Sequence, residues 1–127
     1  MKILIIDDDV SLATMFKNQL MSQEGYEIDT IYDGRKGLDM MITNPVYDLL
    51  ILDIMMPYFS GIEVLKVMAK NNQLKNIPVL LVSALPITYN KSDKTLHGFK
   101  KFNVKGVLEK PFEKDELLEM IKKISKV

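Results

Sequence analysis

Three uninterrupted aliphatic blocks, Ile3–Ile6, Leu49–Leu52 and Val79–Val82, constrain this chain more than any other feature, because each is four residues long and is followed by a polar side chain. A strand without polar alternation has no wet face and must be covered on both sides, as in a parallel sheet flanked by helices. Runs this short also exclude a membrane-spanning helix. Two further strands are expected at Glu27–Tyr32 and Gly106–Leu108. Between the strands, apolar residues recur at helical spacing: Leu12, Met15, Phe16 and Leu20; Leu38, Met41 and Ile42; Ile62, Leu65, Met68 and Ala69; and Leu117, Ile121 and Ile124. Leu96, Phe99 and Phe102 suggest one more helix, from about Ser92 to Phe102, preceded by a loop. Ser60-Gly61-Ile62-Glu63 reads as a capping box. The last helix opens on Glu113, Asp115 and Glu116 and closes on Lys122, Lys123 and Lys126, matching charge to its dipole.

Five strands alternating with five helices imply an α/β fold, a doubly wound five-stranded parallel sheet built from right-handed crossovers. The length, 127 residues without repeat, low-complexity tract or linker, predicts one domain over 1–127. There is no cysteine, which excludes disulfides, thiolate metal sites and a cysteine nucleophile. Asp7, Asp8 and Asp9 interrupt the one apolar stretch near Met1, so no signal peptide is expected and a cytoplasmic location is. Net charge is zero, but residues 1–63 hold four Lys/Arg against eleven Asp/Glu, while residues 64–127 hold thirteen against six. No nucleic-acid-reading element fits, so direct DNA binding is disfavoured. The lysine-rich run Lys94–Lys105, with His97, reads as a solvated helix face or a docking surface, and the nine methionines read as core filler.

In doubly wound sheets the site lies beyond the carboxyl ends of the strands. Here those ends carry Asp7-Asp8-Asp9, Asp53, Ser83 and Glu109-Lys110-Pro111. Two carboxylates about 4 Å apart repel by about 4 kcal/mol at an effective dielectric near 20, so their convergence calls for a raised pKa or a bound cation. An oxygen-only donor set without sulfur or imidazole suits Mg2+, which keeps open positions for phosphoryl oxygens. A carboxylate beside such an ion can become an aspartyl phosphate, with Lys110 and the Ser83 hydroxyl as donors to the new charge. Asp9 reads as a helix-start residue, not as a ligand.

In these fragments the chain resembles the receiver domain of two-component response regulators. They are Ile3-Leu-Ile-Ile-Asp7-Asp8, Leu52-Asp53-Ile-Met-Met56-Pro57 with Gly61, Val82-Ser83-Ala84 and Glu109-Lys110-Pro111-Phe112. The resemblance covers nearly the whole length and implies a flavodoxin-like strand order 2-1-3-4-5. It implies that Asp53 is the phosphoacceptor and that Asp7, Asp8, Asp53 and the Met55 carbonyl hold Mg2+. It further implies Ser83 as switch hydroxyl, Lys110 as phosphate-binding lysine, and a cis bond before Pro111. The implied donor is a histidine kinase or histidine phosphotransfer protein. The implied output is a partner or homodimer bound through the fourth helix, fifth strand and last helix. Such a domain is a regulatory phosphoacceptor and not an enzyme acting on outside substrates.

Two departures stand out. Val107 occupies the place where the family carries an aromatic switch, three residues before Lys110, and Ser83 to Lys110 spans 27 positions, longer than a compact receiver needs. Met55 and Leu85 are apolar where family members place groups that assist hydrolysis, so slow self-dephosphorylation is expected. Two other readings compete. Ile6-Asp7-Asp8-Asp9-Val10 resembles the first motif of haloacid-dehalogenase-type phosphatases, with Asp7 as nucleophile and Asp9 as acid/base. That reading leaves Asp53-Ile-Met-Met-Pro unexplained and lacks the final acidic pair at a strand end. A receiver-like module that is never phosphorylated is the third reading. Nothing after the last helix reads as a linker, so either a free-standing receiver or a piece of a longer protein is expected.

Overall fold

The aliphatic blocks become the three central strands of a parallel sheet in the computed structural model, which describes residues 1–23, 25–84 and 102–125. The elements run β1 (Lys2–Ile6), α1 (Val10–Met21), β2 (Glu27–Ile31), α2 (Gly34–Thr43), β3 (Leu49–Asp53), α3 (Gly61–Ala69), β4 (Val79–Ser83), β5 (Val104–Glu109) and α4 (Lys114–Ser125). The strand order is β2-β1-β3-β4-β5, and every pairing is parallel. This is the expected flavodoxin-like order. The helix expected from about Ser92, together with His97 and the loop before it, lies outside the described residues; Phe102 itself sits in a turn.

Alternation along the strands divides the core in two. Leu4, Ile6, Leu50, Leu52, Val79 and Leu81 face α2 and α3, where they meet Leu38, Met41, Val64, Leu65 and Met68. Ile3, Ile5, Leu49, Ile51, Leu80 and Val82 face α1 and α4, against Ala13, Phe16, Leu20, Leu117 and Ile121. Both faces of β1, β3 and β4 are therefore dry, which is why their sequences need no polar alternation.

Several expected helix faces shift by a position. Met15 and Ile42 are exposed, and so is Ala69. In α1 the buried set is Ala13, Phe16 and Leu20, which places Met15, one residue and about 100° from Phe16, on the outer side. In α3 the buried stripe is Gly61, Val64, Leu65 and Met68, so Val64, absent from the expected face, lies at its centre and Ala69 at its flank. The expected caps form: Asp9 Oδ1 accepts from Leu12 N at 3.1 Å, and Ser60 Oγ accepts from Glu63 N at 3.3 Å. Asp33 caps α2 in the same way, accepting from Lys36 N at 2.9 Å. Strand β5 is longer than the expected Gly106–Leu108 and carries an irregularity: Val79 pairs with Val104 but Leu80 with Gly106, leaving Lys105 as an extra residue.

Candidate functional site

The β1–β3 register sets Ile6 beside Leu52. One further step sets Asp7 beside Asp53, on the face shared by Ile5 and Ile51. Both carboxylates are withdrawn from solvent, Asp7 at 1% and Asp53 at 4% exposure, whereas Asp8 is exposed. One oxygen from each of Asp7, Asp8 and Asp53 falls within a cluster no wider than 4.8 Å. Backbone amides orient the buried pair: Asp9 N donates to Asp7 Oδ1 at 2.9 Å, and Met55 N donates to Asp53 Oδ1 at 3.3 Å.

The counter-charge arrives from the far edge of the sheet. Lys110 Nζ lies 3.1 Å from Asp7 Oδ2 and 3.7 Å from Asp53 Oδ1. Its backbone N–H donates to the Ser83 carbonyl at 2.7 Å, and the Lys110–Pro111 peptide is cis. Ser83 is buried at the end of β4, one residue past Val82, the register partner of Asp53. Phe112 stacks on Phe16 of α1 with ring centroids 5.1 Å apart, anchoring the chain just after Lys110.

The turn after Asp53 leaves no room for a side chain at Gly61. A Cβ there would stand 2.5 Å from the Asp53 carbonyl oxygen and 2.8 Å from Ile54 Cα, both backbone atoms that cannot swing away. Gly61 N donates to the Ile54 carbonyl at 2.9 Å, closing the loop between β3 and α3. Arg35 of α2 lies over the Phe59 ring of this loop at 5.0 Å. Sequence reasoning singled out every charged residue of the cluster but not Asp33, Arg35 or Phe59. The aromatic pair Tyr58-Phe59 directly after Pro57 was the available signal for a structured loop.

Burial pushes the Asp53 carboxyl up to about 7, and the Asp7 charge adds to this; Lys110 and the Met55 amide oppose the shift, while a hydrogen bond with Asp8 adds to it. Among the described residues, the Lys110 ammonium pairs with two carboxylates of the cluster, Asp7 and Asp53, and Asp8 is a third. A cluster made only of carboxylate oxygens, two of them buried and left with excess negative charge, fits a hard divalent cation, and nothing in it favours a soft one.

Residues 3–122 match the family model described as the response regulator receiver domain. The chain belongs to the response regulator receiver family. It is 36% identical over 123 residues to the response regulator ArlR of Staphylococcus aureus, a match covering 97% of this chain and 52% of that protein. The chain therefore spans about half the length of the curated relatives it matches. Among solved structures it is similar to the chemotaxis protein CheY4 of Vibrio cholerae, with a TM-score of 0.82, 29% identity and 97% of each chain covered. It is also similar to the receiver domain of the Francisella response regulator 1452, with a TM-score of 0.79 and 35% identity over 97% of this chain and 94% of that one. The chain is a phosphoacceptor receiver domain of the two-component kind, and such domains are regulatory; the phosphatase reading is not favoured. Asp9, the acid/base of that reading, is instead the cap of α1.

Proposed function

We propose that Asp53 accepts a phosphoryl group from a histidine kinase or histidine phosphotransfer protein. The observation that carries this reading is the buried Asp7–Asp53 pair with Lys110 between them. Asp7, Asp8, Asp53 and the Met55 carbonyl would hold Mg2+, which when bound offsets the carboxylate repulsion and draws charge from phosphoryl oxygens. An Asp53 carboxylate oxygen forms the O–P bond as the N–P bond of phosphohistidine breaks, and the electron pair returns to the imidazole nitrogen. Lys110, already 3.7 Å from Asp53, opposes the burial that favours the neutral acid and afterwards donates to a phosphoryl oxygen. Ser83, on the strand paired with both β3 and β5, donates its hydroxyl to another.

The phosphoryl group biases two arrangements of an output surface that includes β5 and α4, which binds a partner or a second copy of the chain. With Val107 in place of an aromatic ring, the change passes through the backbone linking Ser83 to Lys110. The domain turns over no outside substrate and loses its own phosphoryl group slowly. No described helix is long and apolar enough to cross a membrane. The reading as a receiver carries with it one unit over residues 1–127 and a cytoplasmic location, where a histidine kinase presents its phosphoryl group. Intact-mass measurement after incubation with Mg2+ and acetyl phosphate tests the reading. One stable phosphoryl adduct, absent from Asp53→Asn, is expected; an adduct of equal yield in that variant refutes it.

A further inference from the structure

Tyr58 stands in a backbone conformation that the loop requires but that does not call for a tyrosine. Its φ is +67°, in the left-handed region that bulky L residues rarely adopt. Phe59 N donates to the Pro57 carbonyl at 2.7 Å, so Tyr58 is the central residue of a three-residue γ-turn of the rare positive-φ kind. Its side chain is fully exposed, packed on nothing in the core. Glycine would meet the same backbone need without strain and without offering an apolar ring to water. The proposed chemistry at Asp53 also makes no use of Tyr58.

The turn is nonetheless firmly held. Phe59 packs partly buried against the α2–α3 side of the core, beneath the Arg35 guanidinium at 5.0 Å. Gly61 N closes the loop onto Ile54. The ring of Tyr58 is thus presented outward from a fixed base, which lowers the ordering cost of any contact it makes. Exposed Met55 lies on the same loop, the first residue of α1 adds exposed Val10, and the loop after β2 adds exposed Tyr32. These apolar groups lie along the sheet edge whose acidic floor, Asp53, is only 4% exposed. A macromolecule that delivers a phosphoryl group to a recessed carboxylate must lay its surface over these loops. A small donor entering the recess need not.

We propose that Tyr58, supported by Met55, is the anchoring contact for a protein phosphodonor, a folded surface bearing phosphohistidine, and that it gives such donors their advantage over small phosphoryl compounds. A tyrosine held on a fixed base, and desolvated when a partner's surface covers it, is the kind of residue on which binding energy concentrates. The proposal rests on Asp53 as phosphoacceptor, and its test separates the two.

The full chain, Tyr58→Gly, Tyr58→Phe and Asp53→Asn are each phosphorylated with Mg2+ by two routes. One route uses phosphoramidate. The other uses whichever member of a panel of purified, phosphorylated histidine kinases labels the unaltered chain fastest. Tyr58→Gly is expected to keep its phosphoramidate rate within about twofold while its kcat/KM for the kinase falls by about tenfold or more, mostly through KM. Tyr58→Phe, which keeps the ring, restores the kinase rate to within about threefold. A kinase rate in Tyr58→Gly that falls no further than its phosphoramidate rate overturns the proposal. So does a panel in which no kinase labels a chain that phosphoramidate labels normally. Labelling by phosphoramidate that survives in Asp53→Asn overturns the phosphoacceptor reading instead.

Discussion

Replacing Asp53 by Asn should stabilise the fold, and the site geometry sets the size of the effect. Lys110 at 3.7 Å attracts an ionised Asp53 by about 4 kcal/mol at an effective dielectric near 20. Asp7 and Asp8, with oxygens no more than 4.8 Å away, each repel it by about 3.5 kcal/mol on the same scale, less for solvent-screened Asp8. Burial adds a further cost, and the carboxyl is held near 7 instead of its ordinary value of 3.8. That shift corresponds to about 4 kcal/mol of penalty for the charged native state. Asn keeps an acceptor for the Met55 amide at 3.3 Å, so little else is lost. After allowance for relaxation the variant should gain about 2–3 kcal/mol at pH 8 in EDTA.

The sign follows from linkage. A carboxyl whose native pKa is raised binds its proton more tightly in the folded state, so the parent loses stability as pH rises from about 4 to about 7 and carries the full penalty above that. The advantage of Asp53→Asn should therefore fall to less than half its value at pH 5, and Mg2+ at pH 8 should narrow it. Urea unfolding at the two pH values is the assay, read as a change in midpoint at constant slope; about 1–2 M at pH 8 is expected. A variant no more stable than its parent at pH 8 in EDTA, or an advantage that grows on acidification, refutes the electrostatic account.

Three other perturbations follow from the same structure. Gly61→Ala forces a Cβ against the Asp53 carbonyl and should cost about 1–3 kcal/mol, with slower phosphorylation by acetyl phosphate; unchanged stability and rate would show that the loop yields freely. Asp33→Ala removes the α2 cap and should lower stability by about 1 kcal/mol in urea unfolding, without altering phosphorylation. Met55→Asn should shorten the lifetime of the phosphoryl adduct, followed by intact mass over time, by placing a polar group beside Asp53. A lifetime of seconds that the substitution leaves unchanged would remove the basis for slow hydrolysis in this chain.

The sheet was legible because the three central strands are dry on both faces and had to be written in uninterrupted Ile, Leu and Val. The site was legible for a related reason: once those blocks were strands, the residues just past them had to converge, and Asp7, Asp53 and Lys110 do. What escaped was set by geometry that periodicity does not record. Met15 and Phe16 are both apolar, and only the packing of α1 decides which one turns inward. Asp33 was hidden because Asp-Gly reads as readily as a turn as it does as a helix start. The Arg35–Phe59 contact joins two elements whose approach no local pattern encodes.

The extra residue in β5 carries a consequence for how this chain can change in length. Val104 and Val107 are three apart, an odd step that would normally send them to opposite sides, yet both pack on the α2–α3 side of the sheet. The irregularity at Lys105 absorbs one residue and restores the phase, so that Leu108 meets the other core and Glu109 falls level with Ser83. From that point the strand runs as a fixed ruler to Lys110, and each residue added or removed there would invert which side chain turns towards Asp53. Between Glu109 and Lys110 that inversion exchanges an anion for a cation. Changes in length are thus cheap before Gly106 and costly after it, and one loop of slack keeps the sign of the charge at the acidic cluster independent of what precedes the strand.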